Sequence, residues 1–105
     1  MEQLERLEMS HFTPHLRQGG FRLHGDDVEG APLELELELV EARPLSSMSV
    51  GDRRQPFAVV FRGPRQPALP QRIYRLEHPE VGAHELFLVP VAESEAGREY
   101  EAVFT

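Results

Sequence analysis

The sequence predicts an all-β fold, a small antiparallel barrel or sandwich of about six strands with one short N-terminal helix. Three observations predict it. Leu33 to Leu39 sets four leucines on one face and Glu34, Glu36 and Glu38 on the other, the period of a half-buried antiparallel strand. Phe57-Ala-Val-Val-Phe61 and Glu85-Leu-Phe-Leu-Val-Pro-Val91 are apolar on both faces, as central strands are. Turn-forming glycine, proline, aspartate and serine sequences fall between such runs and leave no room for a second helix.

Taken in order, Leu4 to Glu8 reads as a short strand or turn, and Ser10 as the N-cap of one or two helical turns through Leu16, stopped by Gly19-Gly20. Pro14 limits that helix unless it falls within the first turn. Phe21-Arg-Leu-His24 alternates, and Gly25-Asp-Asp-Val-Glu-Gly30 supplies a hairpin loop before the Leu33–Leu39 strand. After Leu39 the phase slips, as at a bulge or sheet exit, with Val40 and Ala42 falling on the face that the glutamates held. Ala42 to Pro56, with two prolines, three serines and a glycine, is a long connection. Phe57–Phe61 follows, then Gly63-Pro-Arg-Gln-Pro-Ala-Leu-Pro70 as an extended, polyproline-like crossing. Ile73–Leu76 is a further strand and His78-Pro79 through Gly82 its turn. Pro90 marks Glu85–Val91 as an edge or bulged strand, and Glu93–Gly97 turns the chain into Tyr100–Phe104. No internal repeat and no low-complexity tail is visible.

A chain of 105 residues fits one domain, residues 1–105. It has no apolar run long enough for a membrane span, its start is acidic where a secretory signal is basic, and it has no cysteine, so a soluble, cytoplasmic protein is expected. A net charge of −7 argues against nucleic acid as a partner. The charge is also divided. Seven arginines lie between Arg43 and Arg75 with Asp52 as the only acid there, next to the glutamate-rich strand, and that order suggests cross-strand Glu–Arg pairs within one sheet, with arginines such as Arg22, Arg62 or Arg72.

Catalytic signatures are missing: there is no G-x-S-x-G, H-E-x-x-H, P-loop or dinucleotide-binding motif, and none of the five serines is marked as a nucleophile. His11 and His15 have a helical metal-ligand spacing, but Pro14 lies between them and no third ligand is indicated. His24, His78 and His84 read as isolated hydrogen-bonding side chains near strand ends or turns. The glutamate row has a spacing near that of inverting glycosidases, yet carboxylates on a solvated face stay ionised. Asp26, Asp27 and Glu29 lack calcium-loop spacing. No catalytic residue, metal ligand or cofactor is therefore expected. Two segments suit a protein partner. Arg65-Gln-Pro67-Ala-Leu-Pro70 has the R-x-P-x-x-P pattern of SH3-type ligands, and the long loop exposes Met48, Val50, Arg53 and Arg54. With Arg62 and Arg65 these are the candidate partner-binding residues.

Leu4-Glu-Arg-Leu7, His11-Phe12, Gly20-Phe-Arg-Leu23, Leu37-Glu-Leu-Val-Glu-Ala42 and Phe61-Arg-Gly63 together carry a resemblance over nearly the whole chain. Its most specific pieces are Gln71-Arg-x-Tyr74-Arg-x-Glu-His-Pro79, Phe87-Leu-Val-Pro90 and Tyr100-Glu-Ala-Val-Phe104. The pattern resembles an uncharacterised bacterial family of single-domain proteins, a domain of unknown function whose members look as if they are encoded near phage-tail collar or microcystin-dependent-type fibre proteins. The resemblance implies a bacterial origin and an assembly or structural partner, and no activity. The expectation is a non-enzymatic protein-interaction module, an accessory, chaperone or structural partner of a tail-fibre-like protein. The alternatives are a small ligand-binding or hydrolytic barrel using His11, His15 and the glutamates around an internal cavity, or a homo-oligomer assembled through a strand edge near Tyr100–Phe104.

Overall fold

Six antiparallel strands, β1 (Phe21–Asp26), β2 (Pro32–Pro44), β3 (Phe57–Gly63), β4 (Arg72–His78), β5 (Gly82–Ser94) and β6 (Gly97–Phe104), close into a barrel in the order β1-β2-β3-β6-β5-β4, so that β1 also pairs with β4. The computed structural model describes residues 7–26, 29–45 and 56–104. A one-turn helix, α1 (Met9–Phe12), and a 3₁₀ turn at Thr13–His15 precede the strands. No helix among the described residues is long and apolar enough to cross a membrane.

The period-two pattern sorts side chains between the barrel interior and the outside. Phe21 and Leu23, Leu37 and Leu39, Phe57, Val59 and Phe61, Tyr74 and Leu76, Leu86 and Leu88, Tyr100 and Ala102 fill the inside, none more than 7% exposed. Each fully buried large side chain contributes about 1.5–3 kcal/mol of transfer free energy. On β2 the leucines turn inward and the glutamates outward, as the alternation predicts. The phase slip after Leu39 is a bulge between Leu39 and Glu41. Its effect is opposite to the expected one: by absorbing Val40, it returns Glu41 to the outside and Ala42 to the inside, opposite Val59. The strand therefore continues to Pro44 instead of giving way to loop at Ala42. Pro90 likewise sits at a bulge, between Pro90 and Ala92.

The helix starts earlier than Ser10 predicts. Glu8 is the N-cap, α1 runs only to Phe12, and Pro14 lies in the first turn of the 3₁₀ segment, where its missing N–H costs nothing. The chain then turns at Arg17, in the left-handed region, ahead of the two glycines.

The barrel is built from two equivalent units, a repeat that the sequence does not display. Each unit is a closing segment followed by a three-stranded meander, β1-β2-β3 and then β4-β5-β6. Phe21-Arg-Leu-His24 is matched by Tyr74-Arg-Leu-Glu77, since Phe21 pairs with Leu37 as Tyr74 pairs with Leu86. Leu23 and Leu76 face each other across the β1–β4 seam, and Val59 and Ala102 across the β3–β6 seam, so an approximate two-fold axis passes through both pairs. The seams are unequal, with three residue pairs at β1–β4 and seven at β3–β6.

Each unit's leading segment closes one barrel end. In the first, Phe12 of α1 is 1% exposed and packs its ring on Phe21, Phe57, Phe61 and Phe104, with centroids 5.7–6.4 Å apart. In the second, the crossing segment drops Leu69 into the opposite end. Tyr100 Oη accepts the Leu69 N–H at 3.1 Å, and Tyr74 Oη donates to the Pro70 carbonyl at 2.6 Å. Tyr74 and Tyr100 occupy the positions that Phe21 and Phe57 hold in the first unit. One plug is thus held by ring packing and the other by hydroxyls. That explains the buried half of the R-x-P-x-x-P segment: Leu69 and Pro70 are its structural end.

Candidate interaction face

The outer surface carries the charge pairs that the sequence suggests, with different partners. Arg22 reaches Glu34 at 3.3 Å, as expected. Arg62 lies opposite Glu38 in the β2–β3 register but its guanidinium turns to Glu99 on β6 at 3.1 Å, leaving a buried Nε without a partner. Arg72 donates to the Asp26 carbonyl rather than to a glutamate. Arg43 joins Glu41 and, across β3, Glu101. That bridge roofs the outward side chains Ala58 and Val60, which are buried although they point away from the interior. β3 is therefore covered on both faces, as its sequence predicts.

Of the candidate partner-binding residues, Arg62 and Arg65 are both engaged in ion pairs. Arg65 pairs with Glu93 at 3.1 Å, and Arg98 shares that carboxylate at 3.3 Å. Met48, Val50, Arg53 and Arg54 lie outside the described residues. The feet of their loop are joined by the Leu45 N–H to the Pro56 carbonyl at 2.9 Å, at the α1 end of the barrel, whereas Arg65 follows the opposite end of β3. The histidine pair also separates. His11 Nδ1 accepts the Glu8 N–H at 2.8 Å, while His15 is buried with its ring 4.4 Å from that of His78.

Among the described residues the apolar interior side chains pack against the two plugs, and the space beside Phe12 and Leu76 amounts to about 10 Å³. The glutamates stand outside. β6 pairs with β3 on one side and β5 on the other, and Tyr100 is fully buried, so the described part of the Tyr100–Phe104 segment lies within the barrel wall. Larger depressions are open grooves on the surface. One, of about 520 Å³, lies beside the β1–β4 seam between Arg22, Glu36, Glu77 and His78. There the Arg75 guanidinium, with His24, holds the Glu77 carboxyl below its usual range. Burial, followed by the neighbouring His15, pushes the His78 imidazole down.

The feature that sequence reasoning missed is on the outside of β4, β5 and β6. Ile73 pairs with Phe87 across β4–β5. The Val89–Glu101 pair then brings Phe87 level with Val103 on the next strand, which pairs with Ala58 on β3. Ile73, Phe87 and Val103 are 61%, 48% and 53% exposed, and Val91 at the β5 bulge is 50% exposed. Phe87 alone presents on the order of 100 Å² to solvent, half of what an aromatic residue can bury. The equivalent row in the first unit reads Gly20, Glu38 and Val60, the last of them roofed by Arg43. The signal was present in the two-sided apolar pattern of Glu85–Val91: a barrel strand has only one inner face, so its outer apolar residues need a cover.

The chain belongs, over residues 7–104, to the family described as a domain of unknown function (DUF6916). No curated protein and no solved structure is significantly similar to it.

Proposed function

Starting from a family without an assigned activity, we propose that this domain is a non-enzymatic protein-interaction module that docks through the outer face of β4, β5 and β6. The observation that carries this reading is the exposed row Ile73–Phe87–Val103, set in register on three adjacent strands where the matching row of the other unit is small, charged or roofed. Contiguous apolar surface of a few hundred square ångströms is the size that marks interaction sites on soluble monomers. An aromatic centre flanked by branched aliphatic residues also has the composition of an interface core. Exposed Glu85 beside Phe87 and the overall charge of −7 favour a partner segment that is apolar with a basic border. The family resemblance points to a bacterial structural protein of the fibre or collar type as the companion, met in the cytoplasm during assembly.

The test is co-purification with a neighbouring fibre or collar product expressed in the same cells, wild type against Phe87→Glu. The reading expects a stoichiometric complex with wild type that Phe87→Glu abolishes, while the Tm of the isolated variant changes little, because half of the ring is already in water. Equal capture by Phe87→Glu refutes this face as the docking site.

A further inference from the structure

We propose that the α1 plug is an acid-labile latch: protonation of His78 releases residues 7–16 from the barrel and uncovers the four-phenylalanine socket that Phe12 fills. The inference is independent of the docking face and rests on how the His78 imidazole is used. His78 Nδ1 accepts two backbone N–H groups, from Glu80 at 3.0 Å and Val81 at 3.3 Å. It does so only while that nitrogen lacks a proton. Protonation turns the acceptor into a donor aimed at two donors, in the turn that seats buried Val81 against the core. His11 Nδ1 accepts the Glu8 N–H in the same way, holding the first turn of α1. His15 is the buried histidine among the described residues, and its ring stands 4.4 Å from His78 and 6.4 Å from Phe21. A charge on His78 is therefore set against the His15 and Phe21 rings, both 4.4 Å away, beneath the plug.

The surrounding charges do little to offset this. Glu80 Oε2 lies 3.7 Å from His15 Nδ1, but that carboxylate is 74% exposed and strongly screened. In the groove beside His78, Glu77 is committed to Arg75 and His24, Glu36 accepts the Gly20 N–H, and Arg22 adds a like charge. Glu8 is the carboxylate next to His11. His84 on β5 has its Nε2 2.9 Å from the Val81 carbonyl. His24 lies away from the plug, between Glu34 at 3.2 Å and Glu77 at 2.8 Å. The latch is thus confined to one barrel end. At the other end the Leu69 plug is held by tyrosine hydroxyls, which do not titrate in this range.

The sign follows from linkage. A histidine whose neutral form is favoured in the folded state supplies stability that is complete above the ordinary imidazole range near 6.5 and is lost as the pH falls through the folded-state value. The experiment is hydrogen exchange read by mass spectrometry on the whole chain at pH 7.5 and 5.0, corrected for intrinsic rates, with binding of an apolar fluorescent dye in parallel. Wild type is expected to lose protection in residues 7–16 by about tenfold or more, and to gain dye fluorescence, while β3 and β6 stay protected. His78→Asn, and His78→Gln as a second such variant, keep an acceptor without the titration, and their residues 7–16 should stay protected at pH 5.0. His24→Gln should leave the loss as in wild type. Unchanged protection of 7–16 in wild type, or an equal loss in His78→Asn, overturns the proposal.

Discussion

Tyr100→Phe removes one oxygen from a side chain that is 1% exposed and leaves the rest of the barrel wall in place. What it takes away is the acceptor of the Leu69 N–H, 3.1 Å from the hydroxyl in a residue that is itself 3% exposed. Water cannot reach that amide without displacing the plug, so the donor is left buried and unsatisfied, a cost of about 1–3 kcal/mol. At the midpoint of that range, a domain of this size loses roughly 8–16 °C of Tm. Tyr74→Phe is the matched control. It deletes the donor to the Pro70 carbonyl, but Pro70 is only partly buried and water can replace the hydroxyl, so the expected loss is about 0.5–1 kcal/mol. Urea unfolding at constant pH, with calorimetry for Tm, measures both. If Tyr100→Phe is as stable as wild type, or if Tyr74→Phe is the costlier change, the crossing segment is not pinned through the Leu69 amide and the second plug has been misread.

Gly97 opens β6 at φ +140°, and a Cβ placed there would stand only 2.1 Å from the Gly63 carbonyl oxygen; Gly97→Ala should cost at least about 3 kcal/mol in urea unfolding. Gly30→Ala, with positive φ but open space around it, should cost about 1–2 kcal/mol, and similar losses at the two sites would contradict the close approach of β3 and β6. The lowered Glu77 carboxyl contributes stability that is complete above its ordinary value of 4.5 and lost as the pH falls through the folded-state value. Glu77→Gln should flatten the stability profile below pH 4.5, and an unchanged acid limb would show that the pairs with Arg75 and His24 do not persist in solution.

The parts of this fold that a single strand decides were legible. Leu33–Leu39 fixes which residues face inward, and Phe57–Phe61 announces a strand covered twice, because inner packing and an ionic roof both exclude water. What depends on which strands become neighbours was not. Arg62 sits in register with Glu38 on one side and Glu99 on the other, it bonds the second, and nothing local distinguishes the two acids. The repeat escaped notice because Phe21-Arg-Leu-His24 and Tyr74-Arg-Leu-Glu77 are joined to their following strands by turns of different length, which shifts the matching positions by a different amount in each strand. In the sequence His15 pairs with His11 and His78 stands alone for the same reason: the contact between His15 and His78 is made by barrel closure. The pattern of Glu85–Val91 showed apolar residues on both sides, and only closure reveals that the side carrying Phe87 is left uncovered.

The unequal seams give the barrel a preferred place to breathe. Parting β1 from β4 disrupts three residue pairs, where parting β3 from β6 would disrupt seven, so transient slits should open between the two meanders along the shorter line. On the outside of that joint His24 of β1 meets Glu77 of β4 at 2.8 Å, while Arg22 and Glu34 tie β1 to β2 and Arg75 holds Glu77 within β4. A polar clasp over three residue pairs makes this line the hinge along which the cylinder is expected to slit open, with the two meanders staying whole on either side.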